Sequence, residues 1–366
     1  MCIRDSAYTD LSIPPRGLPL SFTRSYNSLL PANGPLGWGW RHTWQVSLVE
    51  SGDEVTVTFG DGHAEQWVQN GADYTGRIGI FGRLTKNGDG GFDLEQKDHT
   101  RYRFSPAGHL EWAEDGNGNR TTLAYDGDGK LTTVTAPDGR ALTMTYSGDR
   151  LTGVADLGGR TVQFDHDAAG NLTAVTDVRG KVTTATYNAD HRLLTMTDAN
   201  GHTFVSNVYD TAGRVAEQRD GGNNKWTFVY SDADHLTIVT DPLNRQTTYT
   251  YDGDGRLLSE KDALNQTESY SYDAAGNRNQ VTDRRGHVTR LTYDGRGNVL
   301  TITDPLSFVR FFTYDAADNL LTEADARGGV TTYTYNANHN PTSRKDALNK
   351  TTTFTYTCLL YTSRCV

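Results

Sequence analysis

Cysteine is scarce in this sequence, and its three copies, Cys2, Cys358 and Cys365, all lie close to the two ends. Residues 7–357 contain none, which excludes a disulfide framework and a thiolate metal site from this part of the chain. No run of about 18 apolar residues occurs either, so we expect no membrane-spanning segment. Basic residues are scattered and the net charge is −10, so the sequence gives no indication of a nucleic-acid partner.

Known catalytic motifs are also missing. The sequence has no Gly-x-Ser-x-Gly elbow, no His-Glu-x-x-His pair and no Gly-x-x-x-x-Gly-Lys phosphate loop. Its ten histidines are dispersed, and His191, His235 and His339 occupy turn positions of the repeats described below. The carboxylates recur at the same offsets in every repeat, which indicates a structural role, because an active site is needed only once. We therefore expect no enzymatic activity, no cofactor and no catalytic or metal-binding residues.

Aromatic residues, in contrast, are frequent and regularly spaced. The stretch at residues 247–257, TTYTYDGDGRL, recurs in near-copies, and from Tyr209 to Tyr356 its second tyrosine returns every 21 residues. His166 takes the same place in one copy. A fixed internal period of this length indicates a repeat architecture. We call the recurring aromatic residues the markers: Phe104, Tyr125, Tyr146, Tyr187, Tyr209, Tyr230, Tyr251, Tyr272, Tyr293, Tyr314, Tyr335 and Tyr356.

Each copy has the residue pattern of a β-hairpin. Threonine alternates with aromatic residues before the marker, which favours a strand with unlike faces. Aspartate or asparagine and small residues follow the marker and predict a tight turn, as at residues 252–255. A second short strand then ends at another Asp-led turn, as at residues 262–265. The predicted glycines of the marker turns are Gly129, Gly213, Gly255, Gly276 and Gly297.

One turn sequence has a second interpretation. Residues 115–119, DGNGN, alternate oxygen-bearing side chains as the start of an EF-hand calcium loop does. However, Arg120 stands where that loop needs glycine, and Asp126 stands where it needs a bidentate glutamate. The residues fit Asx-type turns, with weak calcium binding as the alternative.

The pattern Tyr-Asp-x-x-Gly-x-Leu followed by Thr-Asp-x-x-Gly resembles that of the Rhs or YD-repeat family. The resemblance covers about twelve repeats in residues 98–357 and implies an all-β fold, in which tandem hairpins form one long winding sheet, part of a cocoon-like shell. Residues 7–97 resemble the domain that precedes such repeats and are expected to start or plug the sheet. This domain holds a tryptophan cluster, for which a packed core and a sugar site are the two interpretations: Trp38, Trp40, Trp44 and Trp67.

The same resemblance implies a function. In this family the repeats form a non-catalytic shell that encloses or presents a C-terminal toxin or effector domain, and the protein is secreted or displayed on the bacterial cell surface. The expected partners are that effector domain, absent from this chain, and a secretion-system spike or cell-surface components. The alternative is an adhesin whose tyrosine rows bind carbohydrate. Exposure of Tyr209, Tyr230 and Tyr251 distinguishes the two hypotheses, since stacking on sugar rings requires free tyrosine faces.

The two ends break the repeat pattern. Residues 1–6 read MCIRDS and residues 358–366 read CLLYTSRCV, and a single DNA word in inverted orientation encodes most of both. That word resembles a sequencing-library transposon adapter. We therefore expect both ends to be artefacts, and we expect the parent protein to continue beyond them with more repeats and a separate effector domain.

Overall fold

A computed structural model describes residues 6–14, 17–30 and 32–356. Every regular element within them is a β-strand, which confirms the all-β prediction. No helix long and apolar enough to cross a membrane occurs among these residues. Of the two ends predicted to be artefacts, all but Ser6 lie outside the described residues, and Ser6 begins the first strand.

The N-terminal residues form three small antiparallel sheets. Residues 54–68 form a hairpin whose two strands are the central pair of a four-stranded sheet. The sheets contain β1 (Ser6–Ile13), β2 (Leu20–Tyr26) and β5 (Trp40–His42); β3 (Asn33–Gly34) and β4 (Gly37–Trp38); and β6 (Ser47–Ser51), β7 (Glu54–Thr58), β8 (Ala64–Asn70) and β9 (Asp73–Gly76).

All later strands form one sheet of 27 strands, in which each strand pairs with the next one along the chain. The sheet begins at Arg83, before the predicted start of the repeats at residue 98, because β10 pairs with β11 and β11 pairs with β12. Its strands are β10 (Arg83–Lys86), β11 (Phe92–Glu95), β12 (Arg101–Phe104), β13 (Leu110–Glu114), β14 (Arg120–Tyr125), β15 (Leu131–Thr135), β16 (Ala141–Ser147), β17 (Arg150–Asp156), β18 (Thr161–His166), β19 (Leu172–Thr176), β20 (Val182–Tyr187), β21 (Leu193–Thr197), β22 (Thr203–Tyr209), β23 (Val215–Asp220), β24 (Lys225–Ser231), β25 (Leu236–Thr240), β26 (Gln246–Tyr251), β27 (Leu257–Lys261), β28 (Thr267–Tyr272), β29 (Arg278–Thr282), β30 (Val288–Tyr293), β31 (Val299–Thr303), β32 (Val309–Tyr314), β33 (Leu320–Ala324), β34 (Val330–Tyr335), β35 (Pro341–Lys345) and β36 (Thr351–Thr353).

The turns are built as the sequence predicts. In the turn after Tyr251, one carboxylate oxygen of Asp252 accepts the backbone N–H groups of Asp254 and Arg256. The fourth turn residue, Gly255, has a φ of 79°, a conformation that glycine adopts without steric cost. The strand register shifts at the marker itself, since most markers stand at a β-bulge such as the one between Thr250 and Tyr251. Most repeats therefore carry the same kind of turn with a bulge at the marker, and Tyr230, which pairs with Thr237 without a shift, is an exception.

The long sheet winds back to its own start. The N–H of Gly79 donates to the carbonyl of Ala275 at 2.9 Å, and Lys97 Nζ donates to the carbonyl of Gly297 at 2.8 Å. Side-chain hydrogen bonds of this kind join residues 200 to 233 apart in sequence, which corresponds to about ten repeats per turn of the winding. We call this line of contact, between residues 77–117 and the marker turns at residues 273–340, the seam.

The N-terminal strands pack against the sheet face that carries the markers. The rings of Phe22 and Phe164 lie 5.7 Å apart, and the indole of Trp40 donates to the hydroxyl of Tyr187 at 2.9 Å. Trp40 and Trp67 are at most 1% exposed, which confirms the packed-core interpretation for them. Because the sheet winds around and the N-terminal strands fill it at one end, we take the marker face as the inner wall. The N-terminal strands thus pack on the inner wall, as expected for a segment that starts or plugs the sheet.

Two glycines in equivalent turns offer a test of the seam. A Cβ atom on Gly297 would lie 2.8–2.9 Å from the ring of Phe81 across the seam, whereas a Cβ on Gly255 would meet nothing within 4 Å. Both residues have positive φ, so Gly297→Ala and Gly255→Ala should each cost roughly 1–2 kcal/mol in backbone strain.

Only Gly297→Ala should also displace Phe81. We expect faster hydrogen exchange of residues 76–82 in this variant and unchanged exchange there in Gly255→Ala. Equal exchange in the two variants would contradict the seam.

Candidate functional site

The marker tyrosines connect neighbouring repeats through their hydroxyl groups. Tyr272 donates to the carbonyl of Leu257, fifteen residues earlier, at 2.8 Å. Leu257 begins the preceding strand β27, while the backbone of Tyr272 pairs with Arg278 of the following strand β29. Each such tyrosine therefore joins three consecutive strands. The same bond, with fifteen or sixteen residues between its ends, is made by Tyr125, Tyr146, Tyr187, Tyr209, Tyr230, Tyr293, Tyr335 and Tyr356.

Burial keeps these hydroxyl groups protonated. It raises the pKa of Tyr146 to about 12, and it also raises the pKa values of Tyr125, Tyr187 and Tyr209. A tyrosine in the unfolded chain ionises near pH 10. The stabilisation from these groups is therefore complete below about pH 10 and is lost as the pH rises towards the pKa values of the folded state.

The predicted turn glycines all adopt the left-handed conformation, with φ between 73° and 87°. These glycines occupy the same position in the repeat sequence, but their surroundings in the structure differ. A Cβ atom on Gly276 would lie 2.6 Å from Ile78 and one on Gly297 would lie 2.8 Å from Phe81, whereas a Cβ on Gly255 would meet nothing within 4 Å.

A sequence signal for the seam exists at the residue that follows the fourth residue of these marker turns. This position holds asparagine in the turns that the seam covers, and Asn277, Asn298 and Asn319 are 5–9% exposed. Lysine or arginine occupies it in turns away from the seam: Lys130, Arg192, Arg214 and Arg256.

Asn171 occupies the same turn position, although it lies before the seam turns in the sequence. Its turn is also covered, because Gly37 approaches the carbonyl of Gly170 so closely that a Cβ would lie 2.5 Å from it. Asparagine at this position is thus shared by the seam turns and by this turn, although the turn of His191, which stacks on Trp38, carries Arg192.

The inner wall changes character along the sheet. Two residues before the marker, Leu123, Met144 and Phe164 are buried in a core shared with the N-terminal strands. At later repeats the same position holds Tyr249, Tyr270 and other large residues that are only half-buried. This later part of the inner wall also carries charged residues beside the rings: Glu260 opposite Tyr249, Glu323 opposite Phe312 and Arg344 opposite Tyr333.

The open part of the inner wall, at residues 249–335, is the candidate site. Aromatic rings and paired charges, such as Arg310 with Glu323, line it in rows spaced by the repeat. No group of three or more His, Cys, Asp or Glu side chains placed to hold a metal ion occurs among the described residues. The surface is suited to contact with an extended polar and apolar chain.

The three tyrosines whose exposure distinguishes a shell from an adhesin have their rings partly covered. Tyr209, Tyr230 and Tyr251 are half-buried, and the hydroxyls of Tyr209 and Tyr230 donate to the carbonyls of Leu193 and Val215. Their polar ends are thus used within the sheet.

The turn at residues 115–119 is an Asx-type turn. One carboxylate oxygen of Asp115 accepts the N–H groups of Asn117 and Asn119, and both oxygens accept the Asn119 amide. The Asp115 carboxylate is therefore already hydrogen-bonded within its own turn.

Removal of a single marker hydroxyl tests its role. Tyr272→Phe deletes the donor to the Leu257 carbonyl and should lower the local stability of strands β27–β29 by about 1 kcal/mol. Tyr249→Phe is the matched control, because the Tyr249 hydroxyl makes no hydrogen bond with a described residue. Hydrogen exchange should accelerate around residues 257–282 in Tyr272→Phe alone. Similar effects of both substitutions would argue against the role of the bond.

Comparisons with known proteins agree with this geometry. The model of the RHS Repeat family matches residues 104–141, 125–161, 166–203, 209–246, 230–267, 251–288, 280–308 and 314–351, and a domain of unknown function (DUF6531) matches residues 6–67. Among curated proteins, the tRNA nuclease WapA of Bacillus subtilis (strain 168) is 30% identical over 125 residues, and so is the tRNA3(Ser)-specific nuclease WapA of Bacillus spizizenii. These matches cover 34% of this chain but only 5% of each relative.

Solved structures show the same fold. The crystal structure of TcdB2-TccC3 is 15% identical, with a TM-score of 0.52 over 91% of this chain and 22% of that one. The TcdB2-TccC3-Cdc42 crystal structure is 13% identical, with a TM-score of 0.50 over 90% of this chain and 22% of that one. At these identities the likeness concerns the fold alone. Because the RHS Repeat model matches more than half of the chain, at the hairpins that build the wound sheet, the chain belongs to the RHS repeat family.

Proposed function

We propose that this repeat scaffold is part of a shell that encloses or presents an effector domain carried outside these residues. The observation that carries the proposal is the inner wall itself. The sheet winds through a full turn, the N-terminal strands fill one part of its interior, and the wall at residues 249–335 stays open. A wall of this kind provides a surface on which another chain can lie.

The composition of the open wall supports a polypeptide as its occupant. Half-buried rings such as Tyr249 and Tyr270 offer apolar contact. Glu260 and Glu323 each lie opposite an aromatic residue of the same face and add negative charge. Mixed aromatic and charged surfaces are typical of protein-binding sites rather than of closed catalytic pockets.

The relatives support a non-catalytic role for the repeats. Two of the WapA proteins are named for different specificities, tRNA3(Ser) and tRNA(Glu), yet each is 30% identical to this chain over 125 residues. The segment that they share with this chain is 5% of each relative. Because this segment is common to them, a specificity that differs among them lies elsewhere in those proteins. By extension, the chemistry in this protein belongs to the effector.

The proposal includes export and delivery. An effector held inside a shell acts after release, so a secreted or cell-surface protein is the fitting setting, with a secretion-system spike or surface components as further partners. A carbohydrate-binding adhesin is the alternative, and it requires the marker rings to face solvent.

Photo-crosslinking from the two faces of one strand tests the proposal. Tyr270 lies on the inner wall and the adjacent Ser271 on the outer face, so a photoreactive phenylalanine analogue at each position samples one face. We expect an unstructured passenger, fused after residue 366, to crosslink from position 270 and not from position 271.

Crosslinking from position 271 alone, or equally from both positions, would contradict the shell. The purified chain should also show no nuclease, hydrolase or transferase turnover, and turnover would contradict the non-catalytic role. Polysaccharide binding that Tyr270→Ser abolishes would support the adhesin instead.

A further inference from the structure

Two histidines face each other across the seam. His99 lies in the turn between β11 and β12, and His339 lies in the marker turn between β34 and β35. Their rings are stacked, with centroids 3.7 Å apart and planes inclined by 10°. Both residues have positive φ, 64° and 61°, and each is the fourth residue of its turn. The stack joins the first and second turns of the winding.

The polar neighbours of the pair favour a neutral His339. The amide nitrogen of Asn319 lies 2.8 Å from a carboxylate oxygen of Asp315 and 3.1 Å from Nδ1 of His339. Because the amide donates one hydrogen to each, Nδ1 of His339 must accept and cannot carry a proton. On the other side of the stack, Nδ1 of His99 lies 3.6 Å from Glu95.

Charges around the stack allow one positive ring but oppose two. Glu95 can offset a proton on His99, whereas a proton on His339 would meet the Asn319 amide and a second cation face to face. Burial is the main cause that lowers the pKa of His339, and His99 and Arg101 add to it, although Glu95 and Asp315 oppose them. Arg101 is itself paired with Glu114.

We propose that the His99–His339 stack is an acid-sensitive closure of the seam, closed near neutral pH and weakened when the pH falls. A closed seam keeps His339 neutral, whereas an opened seam returns it to water, where it takes up a proton below about pH 6.5. Acid therefore favours the open seam, and the stabilisation is present above that pH and lost below it. The trigger is therefore a fall in pH, and the response is the opening of the wound sheet at the seam.

His191 is a matched control within the same chain. It occupies the same place in its marker turn, with a φ of 61°, but it stacks on the indole of Trp38 at 4.5 Å. Its Nδ1 lies 2.9 Å from the side-chain oxygen of Asn171, which accepts a hydrogen. Protonation preserves that bond and adds a cation–π attraction, so His191 should not respond to acid in the same direction.

Hydrogen exchange of the seam amides tests the proposal. The N–H of Gly79, which donates to Ala275 across the seam, should lose about tenfold protection between about pH 7.5 and about pH 5.5, after correction for intrinsic exchange. This factor is the change expected from one histidine that titrates only in the opened seam.

In His339→Asn the pH response should fall below about twofold, since the ring that accepts a hydrogen from Asn319 is then missing. Asparagine suits the turn, because Asn244 and Asn265 adopt the same conformation in equivalent turns. His99→Asn should give the same loss from the other side of the seam, and His191→Asn should keep the full response.

A wild-type response below about twofold would overturn the proposal, even if neither seam variant folds. A response that His191→Asn removes as completely as His339→Asn would overturn it as well, because the effect would then not be specific to the stacked pair.

Discussion

The hydrogen bond from a marker tyrosine to the carbonyl fifteen residues earlier is the interaction on which the rest of the structure depends. A two-stranded hairpin is marginally stable alone, and this bond joins each hairpin to the strand before it. Because the bond recurs in most repeats, successive hairpins are joined in a similar way. Their rotations accumulate along the sheet, and the resulting winding brings Asn340 to Asn117.

The stability of such a sheet is expected to vary along its length. Repeats couple mainly to their neighbours, so each region depends on its own contacts. The repeats around Met144 and Phe164 share a core with the N-terminal strands, while those from Tyr249 onward have a half-buried inner wall. The open region is therefore both the candidate contact surface and the part whose structure depends most on the seam and on the tyrosine bonds.

Much of the fold could be predicted from the sequence, because its determinants are local. The spacing of the tyrosines, the Asp-led turns and the hairpin at residues 54–68 follow from strand and turn chemistry over a few residues. For Trp40 and Trp67 the sequence left two interpretations open, a packed core and a sugar site. Their burial in the structure identifies the packed core.

The seam could not be predicted in the same way, because its position depends on curvature accumulated over about ten repeats. Small rotations of each hairpin decide which turns meet, and no single repeat specifies them. In the sequence, the seam is indicated only by one turn position, which changes from arginine at Arg256 to asparagine at Asn277. Likewise, the pairing of β10 and β11 with the repeats was not evident from their sequences, which lack the marker pattern.

The distance between residues 117 and 340 tests the wound shell most directly. Spin labels on Asn117→Cys and Asn340→Cys, with Cys2, Cys358 and Cys365 replaced by serine, report this distance by pulsed electron resonance. The side chains of the two asparagines are hydrogen-bonded, so the account predicts a distance limited only by the length of the labels. In an unwound sheet, about twenty strand spacings of about 4.8 Å would separate the labels by about 95 Å. A distance in that range would contradict the account.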